Sequence, residues 1–324
     1  MRKARTSLSM NPLHERQYDE VYISPHLDDV VFSCGGRILQ TVANRQSCLV
    51  ITVFTGEPDG AASIPAEVRA RIGDMAVRRD EDRRAMKQLG ADFFWMEHAE
   101  AIYRHRTYHT VAGTFWRYRA SDRLLAQLLA DQVEEIARQI RARRLYFPLG
   151  VGNHIDHRVL CDAGMHLSHR PARPWEIFFY EDAPYAFIPH LVQYRLKAMG
   201  ARSDERENQK SLWARTREAH ACMMRVPSVR AYLGTPLLRG LAFAFVFSRF
   251  LLDAYRLPRR RLVLSAEVCD ISAVFPAKLA AVAAYGSQIT NVLGDLETFR
   301  MLHEEYCRSL GHSGVVERVW RVTG

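Results

Sequence analysis

The sequence contains no uninterrupted apolar run of the roughly 18 residues that a membrane-spanning helix needs. The nearest approach, LAFAFVFS at 241–248, is bounded by Arg239 and Arg249, and we expect a buried helix or strand there. No apolar segment of the kind that a secretory signal carries follows the basic residues near the start. We therefore expect a cytoplasmic protein without a transmembrane segment.

Clustered cysteines are also missing. None of the six cysteines stands in a C-x-x-C arrangement; they are Cys34, Cys48, Cys161, Cys222, Cys269 and Cys307. A zinc ribbon or a disulfide framework requires such clusters, so neither is expected. The scattered positions predict reduced thiols, most of them packed in the core.

The composition favours a globular chain with a large core, because 48% of its 324 residues are apolar. The net charge of +9 permits an acidic partner, and the densest basic cluster is RLPRRRL at 256–262. No recognition helix and no interleaving of aromatic with basic residues stands out, so we expect no nucleic-acid partner.

Short apolar runs alternate with helical patterns along the first two thirds of the chain. The runs begin at residues 21, 48, 92, 144 and 176, and their length suits strands that are covered on both faces. This alternation predicts an α/β fold of the Rossmann-like, doubly wound type, with a mostly parallel sheet and helices on both faces.

The predicted organisation is a flexible segment over 1–18 followed by a single domain over 19–324. Its core spans about 19–200, and helical patterns dominate a C-terminal elaboration over about 201–324.

Two motifs place histidines and carboxylates directly after predicted strands. SPHLDD begins at Ser24, after the first strand, and GVGNHIDHR begins at Gly150, after the fourth. Loops at the carboxyl ends of strands meet at one edge of an open α/β sheet, so the motifs are expected to converge. They supply six side chains: His26, Asp28, Asp29, His154, Asp156 and His157.

Such a group offers more donors than one divalent ion requires. Three protein ligands with an open position are typical of catalytic zinc. The remaining carboxylate and imidazole would then be available as general base and as stabiliser of an oxyanion. The residue chemistry alone leaves open which aspartate binds metal and which accepts the proton.

PHLDD together with HIDH resembles the signature of the PIG-L/LmbE family of zinc-dependent de-N-acetylases. The similarity includes EAIYR at 100, YEDAPY at 180 and KLAAVAAYGSQ at 278, and a helix that carries Arg78, Glu81, Ala85, Leu89 and Gly90. The first motif follows the branch that is written S-P-H-L-D-D, and Val30 stands where many members have glutamate.

The resemblance implies a role for each motif residue. His26, Asp29 and His157 would bind one Zn²⁺ per chain, and Asp28 would be the general base. His154 would stabilise the tetrahedral oxyanion, and Asp156 would orient or tune a histidine. If His154 acts as a cation, a bell-shaped pH profile is expected.

The resemblance further implies hydrolysis of an N-acetyl amide on a small molecule, with an amino sugar or a sugar-containing intermediate as the expected substrate. The expected substrate-binding residues are Arg78, Tyr103, Arg104, Asp182 and Tyr185. For Arg78, a surface ion pair with Glu81 or Asp82 is the competing interpretation. The oligomeric state stays open.

Two other classes remain as alternatives. A non-haem iron enzyme could use the same two-histidine, one-carboxylate set. A Rossmann-like nucleotide-binding protein would explain the α/β rhythm, but the first turn lacks G-x-G-x-x-G and offers carboxylates where a phosphate needs N–H groups.

Overall fold

The computed structural model of the protein describes residues 16–57, 64–70, 73–203, 210–227, 235–254 and 262–323. The predicted flexible segment over 1–18 therefore lies outside the described residues except at 16–18. The basic run at 256–262 lies outside them except for Leu262.

The five strands predicted from the sequence are present. They are β1 (Glu20–Ser24), β2 (Cys48–Thr52), β3 (Asp92–Trp95), β4 (Arg144–Pro148) and β5 (Glu176–Tyr180). They pair in parallel in the order β3-β2-β1-β4-β5. The α/β fold with a mostly parallel sheet is thereby confirmed.

Helices cover both faces of this sheet. On β1, Val21 and Ile23 belong to one apolar cluster, whereas Tyr22, which points the other way, belongs to a second. The helices are α1 (Asp29–Ala43), α2 (Ala66–Arg69), α3 (Met75–Leu89), α4 (Ala101–Arg104), α5 (Val111–Trp116), α6 (Ala120–Gln139), α7 (Ile155–Ser168), α8 (Leu191–Met199), α9 (Leu212–Met223), α10 (Pro236–Ala254), α11 (Phe275–Ala283), α12 (Gly286–Val292) and α13 (Leu296–Ser309).

The apolar run at 241–248 lies within α10, so the expected helix is present, but only one of its faces is buried. Phe243 and Phe247 are buried, whereas Leu241 and Phe245 are exposed. No helix in the described part of the chain is both long enough and apolar enough to cross a membrane. All six cysteines are free and five of them are buried, as predicted.

The C-terminal part adds strands to the same sheet as well as helices. These are β6 (Arg202–Ser203), β7 (Val263–Asp270) and β8 (Val316–Val322). β8 is antiparallel to β5 and to β7, and the sheet order continues β5-β8-β7-β6. None of the three was predicted from the sequence. In β8, charged side chains interrupt the apolar pattern, although Glu317 and Arg318 are buried.

The sheet order places the two motifs side by side. β1 lies between β2 and β4, so the connections leave β1 in opposite directions across the sheet. The loops after β1 and β4 flank this switch point, where open α/β sheets form their ligand crevice. α1 begins at Asp29, inside the first motif.

A fully buried ion pair joins the C-terminal part to α1. Lys278 Nζ on α11 lies 2.7 Å from Glu317 Oε1 on β8. The two oxygens of Glu317 also accept hydrogen bonds from the backbone N–H groups of Gly36 and Arg37. One carboxylate thus ties β8, α11 and α1 together.

We expect Lys278→Met to destabilise the protein by about 3–5 kcal/mol, since it leaves the Glu317 charge buried without its partner. The double variant Lys278→Met/Glu317→Leu should recover part of this loss, because it removes both charges. Urea unfolding followed by circular dichroism measures both values. A double variant less stable than Lys278→Met would contradict this account of the pair.

Candidate active site and metal centre

The structure brings the six motif residues together at the carboxyl edge of the sheet. We call them the donor cluster: His26, Asp28, Asp29, His154, Asp156 and His157. Asp156 and His157 are almost fully buried, and His26, Asp28 and Asp29 are less than a tenth exposed. The predicted convergence of the two motifs is therefore present.

Asp29 lies between two imidazoles. Its Oδ2 atom is 3.0 Å from His26 Nδ1 and 3.3 Å from His157 Nε2. The backbone N–H of His26 also donates to Asp29 Oδ2, at 2.9 Å. Asp29 is the first residue of α1, and the hydrogen bond from the His26 backbone holds its carboxylate beside the His26 ring.

The second ring nitrogen of each histidine contacts a fully buried carboxylate. His26 Nε2 is 3.1 Å from Asp156 Oδ2, and His157 Nδ1 is 2.7 Å from Asp182 Oδ1. A carboxylate on the far nitrogen fixes the tautomer and orientation of a metal-binding histidine. Both imidazoles therefore present one nitrogen each, His26 Nδ1 and His157 Nε2, toward Asp29.

Asp156 is held in place by α4. Arg104 Nη1 lies 2.5 Å from Asp156 Oδ1, and the backbone N–H of Ala101 donates to Asp156 Oδ2. Arg104 also lies 3.4 Å from Asp122. Arg104 therefore supports Asp156 from behind, and its expected role in substrate binding stays a prediction.

Asp182 is the matching carboxylate behind His157. It is fully buried, and its Oδ2 accepts hydrogen bonds from the N–H groups of Gly150 and Val151 while Oδ1 faces His157. Asp182 thus contacts His157 as Asp156 contacts His26. Its expected role in substrate binding stays a prediction.

Asp28 lies next to Asp29 and the two histidines, and its own pKa is unusual. Burial, together with the adjacent Asp29 carboxylate, raises the pKa of Asp28 to about 6. The Arg78 guanidinium, with Nη2 3.9 Å from Asp28 Oδ1, opposes this rise. A carboxylate with such a pKa can take up and release a proton near neutral pH.

Arg78 is buried inside the site rather than on a helix surface. Its Nη1 atom lies 2.8 Å from Glu100 Oε1, so its partners are Glu100 and Asp28 instead of Glu81 or Asp82. Glu100, at the end of the loop after β3, was not singled out from the sequence. Its position after a strand, in the EAIYR segment, is the sequence feature that could have identified Glu100 as a site residue.

His154 caps the first turn of α7 through its side chain. The Nδ1 atom accepts a hydrogen bond from the N–H of Asp156 at 3.3 Å, which leaves the proton on Nε2. Burial lowers the pKa of His154 to about 3. With this lowered pKa the ring is neutral near pH 7, which disfavours the case in which His154 acts as a cation, and its Nε2–H can still donate a hydrogen bond.

The remaining expected substrate residues differ in position. The ring of Tyr185 packs against His157 at a centroid distance of 5.9 Å and faces Phe115 at 6.4 Å. Phe115 in turn packs against His154 at 5.6 Å. No hydrogen bond or ring contact connects the half-buried Tyr103 side chain to the donor cluster in the described structure.

The charges of the cluster suit a cation. Burial alone would raise the pKa of Asp29, but His157 and His26 outweigh it and the pKa falls well below its usual value. Nδ1 or Nε2 of each histidine and an oxygen of Asp29 lie within 4.8 Å of one another. Two imidazoles and one carboxylate are a donor set that zinc accepts. His26, His154 and Asp156 form a second such group, but hydrogen bonds occupy both oxygens of Asp156.

A doubly wound sheet with this donor set at its switch point defines an α/β protein with a candidate metal centre. Residues 21–168 match the family model described as "PIG-L: GlcNAc-PI de-N-acetylase". This match, over somewhat less than half of the chain, confirms the resemblance to the PIG-L family that the sequence motifs indicated.

Two curated relatives are 2'-N-acetylparomamine deacetylases. The protein of Niallia circulans is 28% identical over 191 residues, which cover 51% of this chain and 66% of the relative. The protein of Streptomyces fradiae is 32% identical over 168 residues, covering 51% of this chain and 56% of the relative. The match thus spans less than two thirds of the length of either relative.

Solved structures share the fold over almost the whole chain. A deacetylase of teicoplanin biosynthesis superposes with a TM-score of 0.62 at 22% identity, covering 94% of this chain and 98% of that one. The A40926 pseudoaglycone deacetylase gives a TM-score of 0.60 at 20% identity, with 95% and 98% covered. The C-terminal strands and helices are therefore part of a known architecture.

Gly152, in the loop before His154, has a φ of +89°, and a Cβ there would lie 2.5 Å from the Tyr185 ring. Gly311 has a φ of +86° but no atom within 4 Å of a Cβ. We expect both alanine variants to lose about 1–3 kcal/mol through backbone strain, and Gly152→Ala to lose more through the ring contact. Urea unfolding of the two variants measures the difference. Equal losses would contradict a close fit between this loop and Tyr185.

Proposed function

We propose that this chain is a zinc-dependent amide hydrolase that removes an acetyl group from an N-acetylated amino sugar or a sugar-containing intermediate. The observation that carries the proposal is the meeting of His26 Nδ1, Asp29 Oδ2 and His157 Nε2 beside a carboxylate, Asp28, whose pKa is about 6. The match of residues 21–168 to the PIG-L family model supports the same reaction class.

His26, Asp29 and His157 would hold the metal, and Asp156 and Asp182 would orient the two histidines. A bound Zn²⁺ would act as a Lewis acid that polarises the amide carbonyl and makes the attacking water more acidic. Metal binding requires neutral imidazoles, so a metal at His26 and His157 would displace any proton from the ring nitrogens that it uses.

Asp28 would be the general base. Its carboxylate accepts a proton from the water that attacks the acetyl carbonyl, and the same proton is then available for the departing amine nitrogen. His154 would donate a hydrogen bond from Nε2–H to the oxyanion of the tetrahedral intermediate. The neutral ring is sufficient for this step, and the products are acetate and a free amine.

The substrate proposal rests on the relatives. Both curated relatives are named 2'-N-acetylparomamine deacetylase, and two solved structures of the same fold are named as deacetylases, one of them in the biosynthesis of teicoplanin. The proposed substrate class follows the name that both curated relatives carry. Tyr185 and Phe115 offer aromatic surfaces beside His154 against which a sugar ring can pack.

The substrate class is tested by acetate release. We expect acetate from 2'-N-acetylparomamine or from glycosides of N-acetylglucosamine, with no release from acetylated polyamines. Release from a polyamine alone would contradict the sugar half of the proposal while leaving the reaction class intact.

We expect purified protein to hold about one zinc ion per chain, and His157→Ala to lose it, because one of three ligands is gone. Asp28→Asn should keep the metal but turn over about 10²–10⁴-fold more slowly, because it removes only the base. Elemental analysis and acetate release measure the two properties separately.

Full zinc occupancy in His157→Ala would contradict the ligand assignment, and loss of zinc in Asp28→Asn would contradict the division between base and ligand. Turnover by the zinc protein without oxygen excludes the iron alternative. An absolute requirement for iron and oxygen would favour that alternative instead.

The pH profile tests the base. The rate should rise with pH as Asp28 ionises, and Arg78→Gln should move this acid limb to higher pH, because the guanidinium lowers the pKa of Asp28. Arg79→Gln is the control, since Arg79 contacts the Thr55 carbonyl and Glu97 outside the donor cluster. An acid limb that stays in place in Arg78→Gln would assign it to another group.

A further inference from the structure

Arg158, on the first turn of α7, is a partly buried cation without a direct acceptor. In the described part of the chain, no hydrogen bond and no ion pair involves its guanidinium, and its Nη1 atom is shielded from solvent. The guanidinium carbon lies 4.6 Å from the centroid of the Tyr118 ring. A buried N–H group that has left water without gaining an acceptor is costly, so this arrangement requires an explanation.

Other arginines near the candidate centre differ from Arg158 because each has an acceptor. Arg104 pairs with Asp156, and Arg195 Nε donates to the carbonyl oxygen of Leu149 at 2.7 Å. Burial and the charge of Arg195 lower the pKa of Arg158. Arg158 therefore lies close to a second guanidinium and has no acceptor of its own.

Two carboxylates in the neighbourhood attract Arg158 but are engaged elsewhere. Asp162 accepts a hydrogen bond from the hydroxyl of Tyr118, and Asp253 Oδ2 lies 2.7 Å from Arg249 Nη2. Both favour the charged form of Arg158 through space, yet neither forms an ion pair with it in the described structure. The described residues thus provide charge around the guanidinium but no oxygen in direct contact with it.

Arg158 shares the accessible face of α7 with His154. The backbone N–H of Arg158 donates to the His154 carbonyl oxygen at 3.0 Å, and residues four apart on a helix have Cβ atoms about 5–6 Å from each other. Both side chains are partly exposed, whereas the three residues between them are buried. On the facing segment, Phe115 packs against His154 at 5.6 Å and Tyr118 packs against Arg158. The guanidinium therefore lies one helical turn from His154, along the same wall.

We propose that Arg158 is a specificity-determining residue that binds an acidic group, a carboxylate or a phosphate, on the N-acetylated substrate. The inference rests on the deacetylase function proposed above, and it narrows the substrate class to N-acetylated sugars that carry a negative charge near the acetamide. A guanidinium can donate two parallel hydrogen bonds to either anion. With the acetyl carbonyl at His154, an acidic substituent one turn along α7 supplies the oxygen atoms that Arg158 lacks.

Acetate release from three matched sugars measures this preference. The probes are N-acetylglucosamine, N-acetylmuramic acid, which adds a carboxylate, and N-acetylglucosamine 6-phosphate. We expect kcat/KM to be about ten-fold higher or more for an acidic sugar than for the neutral one, mainly through a lower KM, because a charge-assisted hydrogen bond corresponds to that factor. Arg158→Gln should abolish the difference, and Arg158→Lys should retain part of it. A preference that is unchanged in Arg158→Gln would overturn the proposal.

The matched control is Arg123→Gln. Arg123 also lies over the Tyr118 ring, at 5.7 Å from its centroid, but its side chain is exposed on α6. We expect this variant to keep the preference for the acidic sugar, since an exposed charge is screened by water and salt. An equal loss of preference in Arg123→Gln and Arg158→Gln would assign the effect to the general charge of this surface and would overturn the proposal.

Isothermal titration calorimetry separates this inference from the proposed reaction. The zinc-loaded chain should bind an acidic sugar more tightly than N-acetylglucosamine, and Arg158→Gln should lose this difference, whether or not acetate is released. Selective binding without acetate release would contradict the proposed function and leave the role of Arg158 supported. Equal affinities for acidic and neutral sugars in the wild-type chain, or no binding of the acidic sugars at millimolar concentration, would overturn the proposal.

Discussion

The candidate centre depends on two buried carboxylates that each hold one histidine by its far ring nitrogen. Asp156 contacts His26 Nε2 and Asp182 contacts His157 Nδ1, and both aspartates are fully inaccessible to solvent. An uncompensated buried charge is costly, so each needs its own partners. Arg104 and the Ala101 N–H compensate Asp156, and two backbone N–H groups compensate Asp182.

This requirement explains why the site draws on several strand ends. His26 and Asp29 follow β1, Arg104 lies in the helix after β3, His157 follows β4 and Asp182 follows β5. Only the switch in strand order between β1 and β4 brings these loops to one crevice. The fold thus determines where these side chains lie relative to one another, while the short motifs supply the reactive groups.

The sequence predicted the parts of the site that follow from strand ends and residue type. The convergence of His26, Asp29 and His157 could be predicted because both motifs directly follow buried apolar runs. The positions of Arg104 and Asp182 behind the histidines could not be predicted. A charged residue near a strand end gives the same sequence pattern whether it faces a substrate or another side chain. The neutral state of the His154 ring could not be predicted from the sequence either, since it results from burial by residues that are distant in the chain.

The fold shows the same division. β1 and β2 are buried on both faces, β4 and β5 nearly so and β3 only in part, and all five were predicted from their apolar runs. β8 was not predicted, because Glu317 and Arg318 interrupt its apolar pattern. These charged residues are tolerated inside because Lys278 and Glu181 neutralise them. Neutralising partners such as Lys278 and Glu181 come from elements that are distant in the sequence, so no local sequence pattern predicts them.

The central claim is that buried carboxylates orient the metal-binding histidines. It is tested most directly by the zinc affinity of Asp182→Asn, measured by competition with a chelator. The account predicts a loss of about 10–100-fold with the fold retained, because the amide no longer fixes His157 in the required orientation. Glu317→Gln, which removes a buried carboxylate away from the site, should leave the affinity unchanged. Unchanged zinc affinity in Asp182→Asn would contradict the claim.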